Sequence, residues 1–381
     1  MNTIEISTTH NYRVEESKDY KKLISPNANY IFDKRDGVTF SWGKTIKEDP
    51  ECFPGPVIAD IEITTGCLGL TGDSSSEDAK KYGTRLICPF CYKSNTPNNT
   101  KYMSFETFKK LFSVLPKTLT QIAFGADATL QLNPDIWKIM AYSRENGVIP
   151  NVTLANVIND EIADNLAKYC GAVAISRYHI PDICYNSVKK LTDRGMKQVN
   201  IHYMISKETL KGAYDTIDSA SSDERLKGLN AIVFLSLKTK GRGEHGFTPL
   251  TQEEFTDLVK YAKERNVGVG FDSCSSLKAF NAYKGTDVEK KVAKLIEPCE
   301  SSLLSLYINV EGQYFPCSFT EGYKGNEIDW SKGLDVLECT DTEDFLNKIW
   351  NNKKTQEFRN LLMESKKNNE FGCRTCPLYN I

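Results

Sequence analysis

The chain has 381 residues, 40% of them hydrophobic and 26% charged, with a formal net charge of −2. That length supports one large α/β domain, alone or with a smaller unit attached. Lys and Arg are scattered and balanced by Asp and Glu, which argues against a nucleic-acid surface, and no apolar run approaches the roughly 18 residues of a membrane span. The opening stretch MNTIEISTTHNYRVEESKDY lacks the apolar core of a signal peptide, so a cytoplasmic protein is expected. Twelve cysteines in a reducing compartment point to metal binding or redox chemistry, not to disulfides.

Residues 1–56 read as an irregular cap with one hairpin, NYIFDKRDGVTFSWG, turning at Asp36-Gly37. From residue 57 strands and helices alternate. VIADIEIT (57–64) is a strand rich in β-branched residues, and 104–115 is a helix with Phe105, Phe108, Phe112 and Leu115 at helical spacing. TQIAFG (120–125) is the second strand. The helix after it has Asn133 as N-cap, Pro134 at the first helical position and Gly147 as its stop. PNVTLAN (150–156), AVAIS (172–176), QVNIHYMIS (198–206) and NAIVFLSL (230–237) are strands three to six. The helices between and after them are expected over 159–169, 182–194 and 207–219, with a further one opening on the capping-box pair Thr251 and Glu254. VGVGF (267–271) is a candidate seventh strand, and KTKGRGEHG (238–246) reads as a flexible Gly-rich loop.

Strict alternation implies a parallel sheet wrapped by helices. The count falls short of eight units, so the fold class expected is α/β with an open partial (β/α)6 barrel over 57–275. Chemistry in such barrels sits at the C-terminal ends of the strands. After 275 the pattern changes. LLSLYINVEGQYFPCSF (303–319) is a hairpin turning at Glu311-Gly312, a helix follows over 342–363, and the chain ends in FGCRTCPLYN and one further residue. Residues 276–381 thus form a small α+β unit.

Eight cysteines fall in motif-like groups. Cys52, Cys170, Cys184 and Cys339 stand alone and read as small buried apolar residues. Cys67-x20-Cys88-x2-Cys91 follows the first strand. A cubane iron–sulfur cluster is normally held by four thiolates, so three leave one iron open for a ligand. Structural zinc wants a closed set of four ligands, and no His lies near this loop. Cys299-x12-Gly312-x4-Cys317 and Cys373-x2-Cys376 supply a second set of four, with Cys274 as an additional candidate. That set suits either a complete iron–sulfur cluster or a zinc ribbon.

IEITTGC…CPFCY resembles the signature loop of the radical S-adenosylmethionine (radical SAM) enzymes, whose usual pattern is Cys-x3-Cys-x-aromatic-Cys. Phe90 sits at the aromatic position and Tyr92 follows the last cysteine. The departure is the spacing between the first two thiols, which makes 69–85 an inserted loop; such insertions cost little closure entropy. The resemblance implies a [4Fe–4S] cluster on Cys67, Cys88 and Cys91, with S-adenosylmethionine on the open iron. One electron then cleaves the cofactor to a 5′-deoxyadenosyl radical, which takes a hydrogen atom from a substrate. It also implies cofactor contacts at Gly125, Ala126 and Asp127 after strand two and at Ser176 and Arg177 after strand four. Asn156, Asn200 and His202 are weaker candidates. The C-terminal cysteines resemble a SPASM or twitch extension carrying an auxiliary cluster. Such extensions imply a peptide or protein substrate, and an electron donor such as flavodoxin or ferredoxin. The alternatives are a small-molecule or nucleoside substrate, or a non-catalytic iron–sulfur or zinc protein that senses redox state.

Overall fold

The N-terminal stretch forms more than the single hairpin its sequence suggests. The computed structural model describes residues 4–5, 11–71, 77–83, 87–98, 100–128, 130–325, 327–368 and 373–379, excluding the side chains of residues 4, 5, 78 and 126–128. Five strands, β1 (Ile4–Glu5), β2 (Arg13–Glu16), β3 (Tyr20–Ile24), β4 (Asn29–Asp33) and β5 (Thr39–Trp42), pair antiparallel in chain order. The expected hairpin is β4–β5, with Gly37 at φ +75° in its turn. Charge hides β2 and β3, because RVEE and YKKLI look polar while Val14 and Leu23 are buried. Lys21 is buried as well. Its ammonium donates to the Leu119 carbonyl at 2.7 Å and ties this sheet to the next.

The alternation from residue 57 is present. In chain order come β6 (Ile58–Glu62), α1 (Glu77–Tyr82), α2 (Phe105–Val114), β7 (Gln121–Ala128), α3 (Ile136–Glu145), β8 (Ile149–Leu154), α4 (Asp160–Tyr169) and β9 (Ala172–Ser176). Then follow α5 (Pro181–Thr192), β10 (Val199–Ile205), α6 (Leu210–Ser222), β11 (Ala231–Ser236), α7 (Gln252–Glu264) and β12 (Val269–Phe271). Strands β6 to β12 lie parallel, each beside its sequence neighbour. Successive right-handed crossovers keep the helices on one face of such a sheet. Strand alternation then divides the side chains. Ile61, Phe124, Val152, Ile175, Ile201 and Phe234 enter the main core. Asp60, Gly125, Thr153, Ser176, His202 and Leu235 face a cavity on the other side.

The sheet does not stop at residue 275. After α8 (Ser276–Tyr283) and α9 (Glu289–Val292), β13 (Ser305–Ile308) pairs parallel with β6, from Ser305↔Ile58 to Ile308↔Ile61. Every residue of β13 is buried, as in a strand covered on both faces. β14 (Gln313–Phe315) returns antiparallel through Gly312 at φ +81°. The rest is β15 (Tyr323–Lys324), β16 (Asp329–Trp330), β17 (Leu334–Asp335), α10 (Thr342–Phe345) and α11 (Lys353–Ser365). The single helix expected over 342–363 is broken, because a π-turn closes at Asn351 and Asn352 recaps α11, accepting from the Lys354 N–H at 2.9 Å.

Several helix starts are as expected, including Asn159 capping α4 and the reciprocal Thr251–Glu254 capping box of α7. Asn133 caps as expected and does more. Its Oδ1 accepts from the Asp135 N–H at 2.9 Å, while its amide donates to the Ile63 carbonyl at 2.8 Å and the Met103 carbonyl at 3.0 Å; the regular part of α3 begins at Ile136. Asn133 is buried and pins the segment leaving β6, which leads straight to Cys67. Helix α6 starts at Leu210, later than expected, because the Ser206 N–H bonds the Thr209 hydroxyl at 2.9 Å in a turn of its own. Replacing Asn133 with Ala leaves two buried carbonyls without this donor. Urea unfolding should show a loss of about 2 kcal/mol, with helical content unchanged.

Candidate functional site

Cys67 lies just beyond β6, where its sulfur accepts from the Gly69 N–H at 3.3 Å. Cys88 and Cys91 sit on one tight turn, with the Cys91 N–H donating to the Cys88 carbonyl at 3.4 Å. Phe90 packs between Tyr178 (5.3 Å between rings) and Phe247 (5.5 Å), which anchors the turn to the segments that follow β9 and β11. Tyr92 packs on Phe319 at 4.5 Å, beside the C-terminal unit. Of the inserted loop, α1 falls in the described part, while residues 72–76 and 84–86 lie outside the described residues.

The segment expected as a flexible Gly-rich loop is instead a clasp. Arg242 donates through Nε to the Cys88 carbonyl (3.0 Å), through Nη1 to the Asn95 carbonyl (3.1 Å) and through its backbone N–H to the Cys91 carbonyl (3.0 Å). Lys240 reaches the other way, to the carbonyls of Phe319 (3.2 Å) and Glu321 (2.7 Å). Gly241, at φ +60°, lies so close to the Tyr92 carbonyl that a Cβ there would overlap it. Its neighbour Lys238 forms an enclosed ion pair with Asp272. The only sequence signal for this clasp is the alternation of Lys238, Lys240 and Arg242 between small residues.

A second ion cluster joins the thiol loop to the C-terminal unit. Lys93, two residues past Cys91, pairs with Glu62 at 3.0 Å and with Glu321, and donates to the Tyr307 hydroxyl at 2.6 Å. The other oxygen of Glu62 accepts from the Val310 N–H at 3.1 Å, and Asn309 bonds Glu321 at 2.8 Å. Burial alone would push the Lys93 ammonium down; Glu62 and Glu321 outweigh it and hold it above the ordinary lysine range.

All these loops bound one cavity of about 500 Å³. Cys67, Cys88 and Cys91 line it together with Cys274, Cys299, Cys317 and Cys376, while Cys373 does not. Among the described residues no three His, Cys, Asp or Glu side chains converge on a single ion; the thiols stand around a space. Burial pushes the Cys88 thiol up to about 12, with the nearby Cys91 adding to it, and Cys299 up to about 11. Enclosed thiols of this kind ionise when a cationic centre takes them as ligands, releasing their protons. The donor set therefore fits a metal–sulfur group.

The other expected site residues divide. Phe90, Tyr92, Gly125 and Ser176 line the cavity, as does His202, which burial lowers to about 4 and keeps neutral. The side chains of Ala126 and Asp127 lie outside the described residues. Asn156 and Arg177 are not in the cavity lining, although the adjacent Ala155 and Ser176 are. Asn156 donates to Gln131 at 3.4 Å while its buried Oδ1 is unpartnered, and Arg177 donates to the Tyr178 carbonyl at 2.9 Å. Asn200 stands at the start of β10, the end away from the thiols, where it accepts from Asn230 at 2.9 Å. Asp60 and Glu300, not singled out by their sequence context, also line the cavity; burial raises them to about 6 and about 8.

Residues 299–377 match the SPASM family, an iron–sulfur cluster-binding domain. No curated protein sequence matches the chain. Its fold is similar to that of SuiB from Streptococcus suis in three crystal structures. The structure with the precursor peptide SuiA bound has a TM-score of 0.66 at 12% identity over 95% of this chain and 93% of that one. SuiB itself gives 0.64 at 12% identity over 95% and 94%. SuiB with S-adenosylmethionine bound gives 0.63 at 12% identity over 95% and 93%. No helix among the described residues is long and apolar enough to cross a membrane.

Replacing Lys93 with Met strands two enclosed carboxylates, and chemical denaturation should show a loss of about 3 kcal/mol. Adding Glu62→Gln should recover part of it. Asp60 is a raised acid, so its cost to stability builds up as pH rises from the ordinary carboxylate range to its folded value of about 6 and is complete above it. Asp60→Asn should therefore stabilise the metal-free protein at pH 7.5 and change little at pH 4, read from urea midpoints.

Proposed function

We infer that this chain is a radical SAM enzyme acting on a peptide, with a second iron–sulfur cluster in its C-terminal unit. The observation that carries the reading is one cavity lined by two groups of thiols from distant parts of the chain. The match of 299–377 to a cluster-binding domain supports it. So does a fold shared over nearly the whole length with a protein seen with S-adenosylmethionine and with a precursor peptide. In this reading residues 57–275 are a partial (β/α)6 barrel, 1–56 its cap and 276–381 the cluster unit.

The group these thiols would hold, a four-iron cluster, would supply the one electron that cleaves S-adenosylmethionine into methionine and a 5′-deoxyadenosyl radical. The chain's own residues prepare for that. Cys67, Cys88 and Cys91 would hold the cluster, three thiolates where a closed set has four. Arg242 and Lys93 fix the turn that carries two of those thiols. Gly125, within β7 where its register shifts, and Ser176, at the end of β9, form the wall for the cofactor's polar groups, with the backbone of Ala126 and Asp127 continuing it. Leu70, Phe90, Met204 and Leu235 give the cavity apolar surface that excludes water from a reactive carbon. The reducing electron comes from a low-potential carrier such as flavodoxin or ferredoxin. A cytoplasmic setting keeps twelve cysteines reduced.

The test is anaerobic reconstitution with iron and sulfide, then S-adenosylmethionine and dithionite. Equal amounts of 5′-deoxyadenosine and methionine should form, and Cys88→Ala should form neither. Wild-type protein that binds iron yet yields no 5′-deoxyadenosine would leave only the non-catalytic reading.

A further inference from the structure

Pattern and geometry part company in the second thiol group. By spacing, Cys299, Cys317, Cys373 and Cys376 belong together, and the cluster-domain match begins at Cys299, leaving Cys274 outside it. The cavity is lined by Cys274, Cys299, Cys317 and Cys376. These four lie within electrostatic reach of one another: Cys299 and Cys317 both act on Cys274, Cys376 on Cys317, and Cys299 on Cys376. Cys373 is 1% exposed, and its sulfur lies 3.4 Å from the Ser276 hydroxyl and 3.5 Å from the Arg374 carbonyl.

Two features set Cys274 apart from an ordinary buried cysteine. It sits on a short helical turn, Ser273–Ser275, whose start is fixed by Asp272 accepting from the Ser275 N–H at 3.1 Å. Asp272 is itself clamped by Lys238. Lys238 is the second feature. Its side chain is 6% exposed, and its ammonium acts on both Cys274 and Cys376. Lys238 favours the thiolate forms of both sulfurs while its partner Asp272 opposes ionisation of Cys274, so the pair contributes chiefly by fixing the turn that presents Cys274 to the cavity.

We propose that Cys274, Cys299, Cys317 and Cys376 are the thiolate ligands of the second iron–sulfur cluster, and that Cys373 is not a ligand. This rests on the iron–sulfur reading of the C-terminal unit. Each thiol gives up its proton as it binds iron.

The second site is isolated in a full-length Cys67→Ala/Cys88→Ala/Cys91→Ala background, reconstituted anaerobically with iron and sulfide. Metal analysis should find about four irons per chain, and the Mössbauer spectrum gives the reference. Adding Cys274→Ser should remove those irons or change the spectrum of one iron site. Adding Cys373→Ser should leave both the count and the spectrum unchanged. Thermal melting checks folding. If Cys274→Ser does not fold, Cys274→Asp retains an oxygen ligand and should shift the same spectrum. An unchanged spectrum in the Cys274 variant overturns the proposal, and so does lost iron or a changed spectrum in a folded Cys373 variant. A background that binds zinc, or no metal, overturns it too. In that case 5′-deoxyadenosine formation by the wild type would still support the first site, so the two failures are distinguishable.

Discussion

The ammonium of Lys93, enclosed between Glu62 and Glu321, is the interaction on which the geometry of this protein turns. Glu62 ends the first parallel strand, Lys93 follows the Cys88–Cys91 turn, and Glu321 follows Cys317. One enclosed charge therefore ties three segments together, alongside the β6–β13 pairing and the contacts of Lys240 and Arg242. Desolvating three ions is costly, and the attraction compensates only when each remaining donor and acceptor is satisfied. Here Tyr307, Asn309 and the Val310 N–H satisfy them. The arrangement trades stability for precise placement of two thiol-bearing loops against each other.

The Lys238–Arg242 segment repeats this logic beside it, on the same thiol turn and the same Glu321 segment. Successive basic residues reach different loops: Lys238 to the Asp272 turn, Lys240 to the carbonyls after Cys317, and Arg242 to the carbonyls of the Cys88 turn. Backbone carbonyls take these charges well, because a cation held by several oriented dipoles needs little further solvation. Rigid support of this kind is what the proposed radical chemistry would require, because a reactive carbon would have to meet one hydrogen atom and no other. A loop left loose beside the thiols would admit both water and stray donors.

The shared sheet also fixes how the two groups of thiols stand relative to each other. β13 adds to β6 in parallel register, so the cluster-binding unit grows out of the sheet instead of sitting on a linker. Motions that separate the groups would have to break that pairing. The distance between the sites is thus a property of the fold and not of a hinge.

Much of this was legible in the sequence for a local reason. Strand and helix periods, the Thr251–Glu254 cap and the turns at Gly37 and Gly312 depend on residues near each other in the chain, so pattern alone locates them. The cysteine spacing likewise states which thiols share a turn, and places the first group beyond β6. The amino-acid sequence by itself determined the alternation, the thiol inventory and the chemistry those thiols admit. It misplaced Asn200 and missed the two carbonyls that Asn133 clamps besides capping, because a short polar residue at a strand or helix end reads the same whether it caps, clamps or faces solvent. Only the tertiary structure decided that Cys274 joins the cavity while Cys373 turns toward Ser276, and that a glycine-rich stretch is a clasp. Those outcomes rest on contacts between segments far apart in the chain, where the energy lies in burial and charge pairing and leaves no local pattern.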